Sequence, residues 1–278
     1  MLKNSVKQKG SIGVFDSGLG GLTVLRHFLK VLPQYNYIYL GDNGRVPYGN
    51  KSQALIYEYT REAIDFLYHK GCRLIIVACN TASAQALRKI QQEYLPKKYP
   101  ELKVLGVIRP LAEAAAQHKD FNRIGVIGTS STVASKSYIK ELKHLKPSLL
   151  VYQQAAPLLV PLIEEGWIHK NETTSILQKY LKNLKNKKIE MLILACTHYP
   201  ILIKDIRKIM DKKCFVPDPG VIVAKSLKTY LQKHPELKLD KNKKAGRYFY
   251  TSDDPKKFLI LGKRFLPREM KSAEKLSW

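Results

Sequence analysis

The sequence predicts an α/β protein of two similar domains with mostly parallel sheets. Three observations carry that prediction. Short apolar, largely β-branched runs alternate with helix-periodic segments along most of the chain, the pattern of repeated βαβ units. Two of those runs end alike: Leu74-Ile75-Ile76-Val77 leads into Ala78-Cys79-Asn80-Thr81, and Met191-Leu192-Ile193-Leu194 into Ala195-Cys196-Thr197-His198. A second pair, Ile12-Gly13-Val14-Phe15-Asp16-Ser17 and Ile124-Gly125-Val126-Ile127-Gly128-Thr129, recurs at nearly the same offset, which points to an internal duplication. If halves related by pseudo-two-fold symmetry face each other, Cys79 and Cys196 meet across one cleft. In open α/β sheets that is where ligands bind, beyond the carboxyl ends of the strands.

Residues 11–16 read as the first strand, and Asp16-Ser17-Gly18-Leu19-Gly20-Gly21-Leu22-Thr23 as a turn into an amphipathic helix reaching residue 32. The glycines permit a tight turn and leave backbone N–H groups open at a helix N-terminus. The spacing is not GxGxxG, no P-loop lysine follows, and Asp16 repels phosphate, so a carboxylate or ammonium fits this loop better. Residues 37–40 form a second strand, followed by a Gly-, Pro- and Asn-rich loop through Tyr48, Gly49 and Asn50. Residues 52–70 read as a helix, with Leu55, Tyr59, Ala63, Phe66 and Leu67 near 3.6-residue spacing. After the Cys79 strand comes a helix over 81–94, capped by Asn80 or Thr81; the Thr81 hydroxyl is either that cap or a ligand contact. Cys79, just before a helix N-terminus, sits where a thiol pKa is lowered.

A strand over 104–108, a turn at Arg109-Pro110 and a helix over 111–118 follow. Residues 124–127 open the second half, with Gly128 to Thr132 the counterpart of the Asp16 loop and a helix over 135–145. A strand over 149–153, a segment with Glu164 and Glu165, and a helix over 172–184 lead to the Cys196 strand. Beyond it the pattern gives helices at 201–210, 221–232 and 255–265, strands at 214–216 and 248–251, a lysine-rich surface loop at 238–244, and a basic tail.

A length of 278 residues fits about two domains, and 45% hydrophobic residues suffice for real cores. The polar, basic segment Met1 to Gly10 lacks an apolar h-region, and no apolar run approaches the ~20 residues of a membrane span, so a soluble cytoplasmic protein is expected. The formal net charge of +25 is spread mostly as scattered lysine without interleaved aromatics. A solvated surface accounts for it better than a nucleic-acid partner, although a basic field also concentrates an acidic substrate. Cys72, Cys79, Cys196 and Cys214 lack paired CxxC spacing, which argues against a zinc site, and Cys72 and Cys214 read as small core residues.

A single strand-end cysteine suggests nucleophilic acyl transfer. Two in matching surroundings suggest racemisation, which takes a proton from one face of a carbon and returns one to the other. A thiolate and a thiol supply the base and the acid, and Asp16 and His198 are candidate helpers that move protons or bias ionisation. His198, two residues beyond Cys196, is otherwise an ordinary structural histidine.

The segments Val14 to Val24, Gly41-Asp42, Pro47-Tyr48-Gly49, Ala78-Cys79-Asn80-Thr81-Ala82 and Ala195-Cys196-Thr197-His198-Tyr199-Pro200 resemble the bacterial glutamate racemases, within the aspartate/glutamate racemase superfamily. The resemblance runs in order from Ile12 to about Phe265. It implies a cofactor-independent, metal-free enzyme that interconverts L- and D-glutamate, supplies D-glutamate for peptidoglycan, and forms a homodimer. It implies a first domain of residues 1–105 plus 214–278, with Asp16 and Cys79, and a second of residues 106–213, with Glu164, Cys196 and His198. The site lies in the cleft between them. By matching motifs, Cys79 deprotonates D-glutamate with help from Asp16, and Cys196 deprotonates L-glutamate with help from His198 and Glu164. Ser17, Tyr48, Gly49, Asn80, Thr81, Thr129, Thr132 and Thr197 hold the substrate's carboxylates and ammonium, with Asp16 and His198 beside them. Thr197-His198 resembles the glutamate group, since aspartate racemases usually place a glutamate where His198 stands. Arg109 before Pro110, Ala156 before Pro157, and Pro217-Asp218-Pro219 depart from the family pattern without removing a proposed catalytic group. The alternatives are a racemase of another acidic amino acid, a one-thiol decarboxylase, which leaves the second cysteine without a purpose, and a basic nucleic-acid-binding protein.

Overall fold

The computed structural model describes residues 10–276; the reading of the basic N-terminal segment therefore falls almost entirely outside the described residues. Among these residues the chain forms two sheets whose strands all pair in parallel. The larger contains β1 (Ser11–Asp16), β2 (Tyr37–Gly41), β3 (Cys72–Val77), β4 (Lys103–Gly106), β8 (Arg247–Thr251) and β9 (Glu274–Lys275), in the order β4-β3-β1-β2-β8-β9. The smaller contains β5 (Arg123–Gly128), β6 (Leu150–Ala155) and β7 (Met191–Ala195), in the order β6-β5-β7. The run β3-β1-β2 of the first sheet thus recurs as β7-β5-β6 in the second, and the mixed α/β fold with parallel sheets is the one the sequence predicts.

The strands read as near-continuous apolar runs because helices cover both faces of each sheet. Every residue of β1, β2 and β7 is buried. Alternation along β1 and β3 sends Ile12, Val14, Leu74 and Ile76 to one side and Phe15, Ile75 and Val77 to the other. The first group joins Ile124, Val126 and Ile193 of the second sheet in one continuous core. Helices Leu22–Val31, Ile108–Ala116 and Pro219–Lys233 contribute Leu25, Leu111 and Val223 to that core.

Several elements differ from the sequence reading, each for a local reason. Arg109 and Pro110 are not a turn but the start of Ile108–Ala116, where proline lacks only an N–H that a first turn leaves unpaired anyway. The helix over 81–94 is interrupted: Asn80–Gln85 is followed by Leu87–Lys89 and a π-helical Ile90–Tyr94. The expected strand at 214–216 is a single parallel bridge between Phe215 and Met191. The basic tail is not all tail, since Glu274 and Lys275 pair with Tyr250 and Thr251 at the sheet edge. Among the described residues no helix is long and apolar enough to cross a membrane.

Four strand ends converge. Asp16 closes β1, Cys79 lies just past β3, Thr129 follows β5, and Cys196 follows β7.

Candidate active site

A small cavity of about 60 Å³ lies where those ends meet. Cys79 and Cys196 both line it, with Glu164, Thr197 and His198 on the Cys196 side. Ser17, Asn80, Thr81 and Thr129 add polar wall, and Tyr48 and Gly49 close another side. Asp16 and Thr132 are fully buried and stand behind the wall rather than in it. A much larger open groove of about 1460 Å³, with Arg88, Arg109 and Tyr230 along it, holds none of these residues.

Cys79 is itself the N-cap of Asn80–Gln85, its Sγ accepting the Ala82 N–H at 3.5 Å. The cap is therefore neither Asn80 nor Thr81, and the Thr81 hydroxyl is available to the cavity. The Ser17 hydroxyl lies 3.5 Å from Cys79 Sγ. Burial and the nearby Asp16 charge push the Cys79 thiol up to about 12, although the Ser17 hydroxyl and the Ala82 N–H pull the other way. The helix N-terminus lowers the thiol's pKa as the sequence implies, but desolvation outweighs it. Cys79 is a protonated thiol at neutral pH.

The Cys196 side is built differently. Its Sγ lies 3.9 Å from His198 Nδ1, and His198 Nε2 lies 3.1 Å from Glu164 Oε1. Burial disfavours the His198 cation, yet the Cys196 and Glu164 partners outweigh burial and raise its pKa to about 10. An imidazolium thus sits between a sulfur and a carboxylate. Behind it, Asp16 is pushed upward by burial, which the His198 charge, the Gly18 and Gly21 N–H groups and Thr197 only partly offset. Asp16 Oδ2 accepts from the Gly18 N–H at 3.0 Å, and its Oδ1 accepts from the Thr197 hydroxyl at 3.1 Å.

Contacts between residues of the two halves enclose the cavity. Thr81 Oγ1 lies 2.9 Å from Thr129 Oγ1 and 3.2 Å from Thr132 Oγ1, and the last two are 3.0 Å apart. The Thr23 hydroxyl reaches the Thr197 carbonyl at 2.9 Å. Thr132→Val is expected to lower stability by about 1 kcal/mol, the net worth of such a hydroxyl, with the shift read as a urea midpoint at unchanged slope.

The glycines after β1 do lie in a turn into the helix Leu22–Val31, as the sequence implies, but they serve a second purpose as well. Gly18, Gly20 and Gly21 are absent from the positive-φ residues. What they provide is close approach: a Cβ at Gly20 would collide with Thr197 Oγ1 and lie 2.6 Å from His198 Nδ1. Sequence reasoning missed Val46, Asn50, Ser130, Val160 and Pro161, which also line the cavity. Val46, Asn50 and Ser130 are marked only by position, beside Tyr48-Gly49 or after a strand end, and Val160 and Pro161 only by sharing the short helix Leu159–Glu164 with Glu164. Cys72 and Cys214 are buried within apolar clusters, away from the cavity. Among the described residues no three His, Cys, Asp or Glu are grouped so as to hold a metal ion.

An α/β fold with two cysteines at equivalent strand ends defines a class, and comparison with known proteins agrees. The family model described as Asp/Glu/Hydantoin racemase matches residues 20–227, and the chain belongs to that family of isomerases. Its relatives are more particular. The glutamate racemase of Geobacter metallireducens is 40% identical over 256 residues, 92% of each chain. That of Neisseria meningitidis serogroup C is 40% identical over 273 residues, 98% of each. Among solved structures, glutamate racemase isoform RacE1 of Bacillus anthracis matches with TM-score 0.90 at 33% identity, covering 97% of this chain and 98% of that one. The glutamate racemase of Francisella tularensis in complex with D-glutamate matches with TM-score 0.86 at 35% identity, covering 98% of both.

Proposed function

We propose that this isomerase interconverts L- and D-glutamate by a two-base reaction in which Cys79 and Cys196 flank the substrate Cα. The observation that carries this is the meeting of two cysteines, from equivalent strand ends, in one small enclosed cavity. In this scheme Cys196 acts as thiolate beside the His198 imidazolium and takes the Cα proton of L-glutamate, while the Cys79 thiol delivers one to the opposite face. The reverse direction exchanges the roles, with Asp16 serving the Cys79 side and His198 and Glu164 the Cys196 side. Ser17, Asn80, Thr81, Thr129 and Thr197 hold the carboxylates and ammonium, and Thr132 supports Thr81 and Thr129 from behind. The reaction draws on side chains alone and calls on no cofactor. The two sheets are taken as two domains, residues 1–105 plus 214–278 and residues 106–213. A cytoplasmic homodimer supplying D-glutamate to peptidoglycan completes the proposal, and light scattering of the purified protein tests the dimer.

The test of the activity is proton NMR of each glutamate enantiomer in heavy water with purified enzyme alone. Loss of the Cα proton signal with appearance of the other enantiomer is expected. Exchange of aspartate but not glutamate would keep the chemistry and overturn the substrate. No exchange of any amino acid by folded protein would overturn the reading.

Ionisation of the site also sets a pH dependence of stability. His198 is raised from 6.5 to about 10 and Cys79 from 9.0 to about 12, so the folded state holds protons that the unfolded chain releases. The stability from His198 is fully present below pH 6.5 and lost as pH rises through about 10; that from Cys79 is lost through about 12. Urea midpoints are therefore expected to fall steadily from pH 7 to 10, and His198→Asn to flatten that fall.

A further inference from the structure

The loop after β2 contributes Val46, Pro47, Tyr48, Gly49 and Asn50 to the cavity wall, yet its only regular structure is two short 3₁₀ turns, Asn43–Arg45 and Tyr48–Asn50. A wall that positions a substrate to within fractions of an ångström needs firmer support than that. The support converges on Asp42, which is fully buried. Its Oδ2 accepts from Arg45 Nε at 2.7 Å and from the Tyr48 hydroxyl at 2.6 Å. Its Oδ1 accepts from the Ser252 hydroxyl at 2.6 Å, and its own N–H donates to the Asp16 carbonyl at 3.0 Å. Ser252, just beyond β8, also accepts the Gly44 N–H at 2.9 Å. Arg45 is held in turn by Glu62 and lies over the Tyr59 ring at 4.0 Å.

We propose that Asp42 is a positioning residue for substrate binding: by drawing Arg45, Tyr48 and Ser252 onto one buried carboxylate, it holds residues 46–50 against the substrate. A buried carboxylate is tolerated only when its oxygens are taken up by donors, and charge-assisted bonds of this kind are the strong ones. Because the Tyr48 hydroxyl is donated to Asp42, its phenol proton is not the group that Tyr48 offers the substrate. That changes how the Pro47-Tyr48-Gly49 motif acts, while leaving it in the site.

The inference rests on the glutamate reading for its kinetic assay. Asp42→Asn keeps the shape but has one acceptor oxygen and two N–H groups, so it cannot serve three donors. KM for glutamate is expected to rise about tenfold or more in both directions, with kcat within about threefold, the pattern of lost uniform binding. Ser252→Ala, which removes one donor outside the cavity, is expected to raise KM in the same sense but less. A role in folding alone would lower Vmax through the active fraction and leave KM unchanged, and that result would overturn the proposal. Amide hydrogen exchange across residues 43–50 is expected to quicken in Asp42→Asn, or in Ser252→Ala if the first variant does not fold. This readout needs no substrate. Wild-type enzyme that fails to racemise glutamate would sink the substrate reading alone, whereas unaltered loop exchange would sink the role of Asp42.

Discussion

Cys79→Ser and Cys196→Ser are each expected to lower racemisation about 10³-fold or more while leaving the protein folded. A positioned acid or base contributes some 10²- to 10⁴-fold, and a hydroxyl is far too weak an acid to replace a thiol in either role. The fold survives for reasons local to each site. Serine is a better N-cap than cysteine, so Cys79→Ser keeps the bond from the Ala82 N–H. Cys196 Sγ makes one long contact, to His198, and caps nothing. Because the two enantiomers are mirror images, their equilibrium constant is one, and kcat/KM must fall equally in both directions whichever thiol is lost. Directional asymmetry therefore has to be sought in kcat and KM separately, and it is expected for Asp16→Asn and His198→Asn, each of which serves one thiol. Polarimetry from either enantiomer, with a thermal melt by circular dichroism, gives both readouts. Wild-type turnover in either serine variant would rule out the two-thiol scheme.

Gly20→Ala is expected to reduce kcat by about 100-fold or more, although no substrate atom needs to touch residue 20. The added methyl lands on Thr197 Oγ1 and His198 Nδ1. Neither side chain has room to retreat: Thr197 is tied to Asp16 and His198 to Glu164, and both are buried. The displacement must pass into the Cys196 loop, and a shift near 1 Å can cost about two orders of magnitude. Gly18→Ala is the control, since its methyl meets nothing nearer than Val46 Cγ1 at 3.2 Å. It is expected to keep most of the activity by the same assay. Equal activity of the two variants would mean that the loop needs its glycines for the turn alone.

What the sequence revealed and what it concealed follow a physical division. The cysteine strands were legible because a strand covered on both faces must be apolar throughout, and the polar residues after it mark where it leaves the sheet. The matched pairs Cys79/Cys196 and Ser17/Thr129 were legible because the halves share a strand order. Features resting on contacts between distant segments were not. Pro110 reads as a breaker until it is placed in a first helical turn. Glu274 and Lys275 carry no strand signal, because an exposed edge asks nothing of their side chains. The Gly20 spacing looks like turn chemistry until residues 197 and 198 are brought beside it. Desolvation of Cys79 was equally hidden, since a helix N-terminus is visible in sequence and the depth of burial is not.

The strand order of the first sheet also bears on how the chain matures on the ribosome. β2 is flanked by β1, made early, and by β8, made more than two hundred residues after β1 begins, with β9 later still. The second sheet, by contrast, is contiguous in the chain and has all its strands by Ala195. During synthesis the later half can therefore close its sheet while the earlier half waits with β2 unpaired on one edge. Asp42 meets Ser252 only when that wait ends, so the cavity wall is finished among the last steps of assembly. A nascent chain stalled before β8 is expected to hold both cysteines and the whole threonine cluster, and yet to lack the edge against which the Tyr48 loop is set.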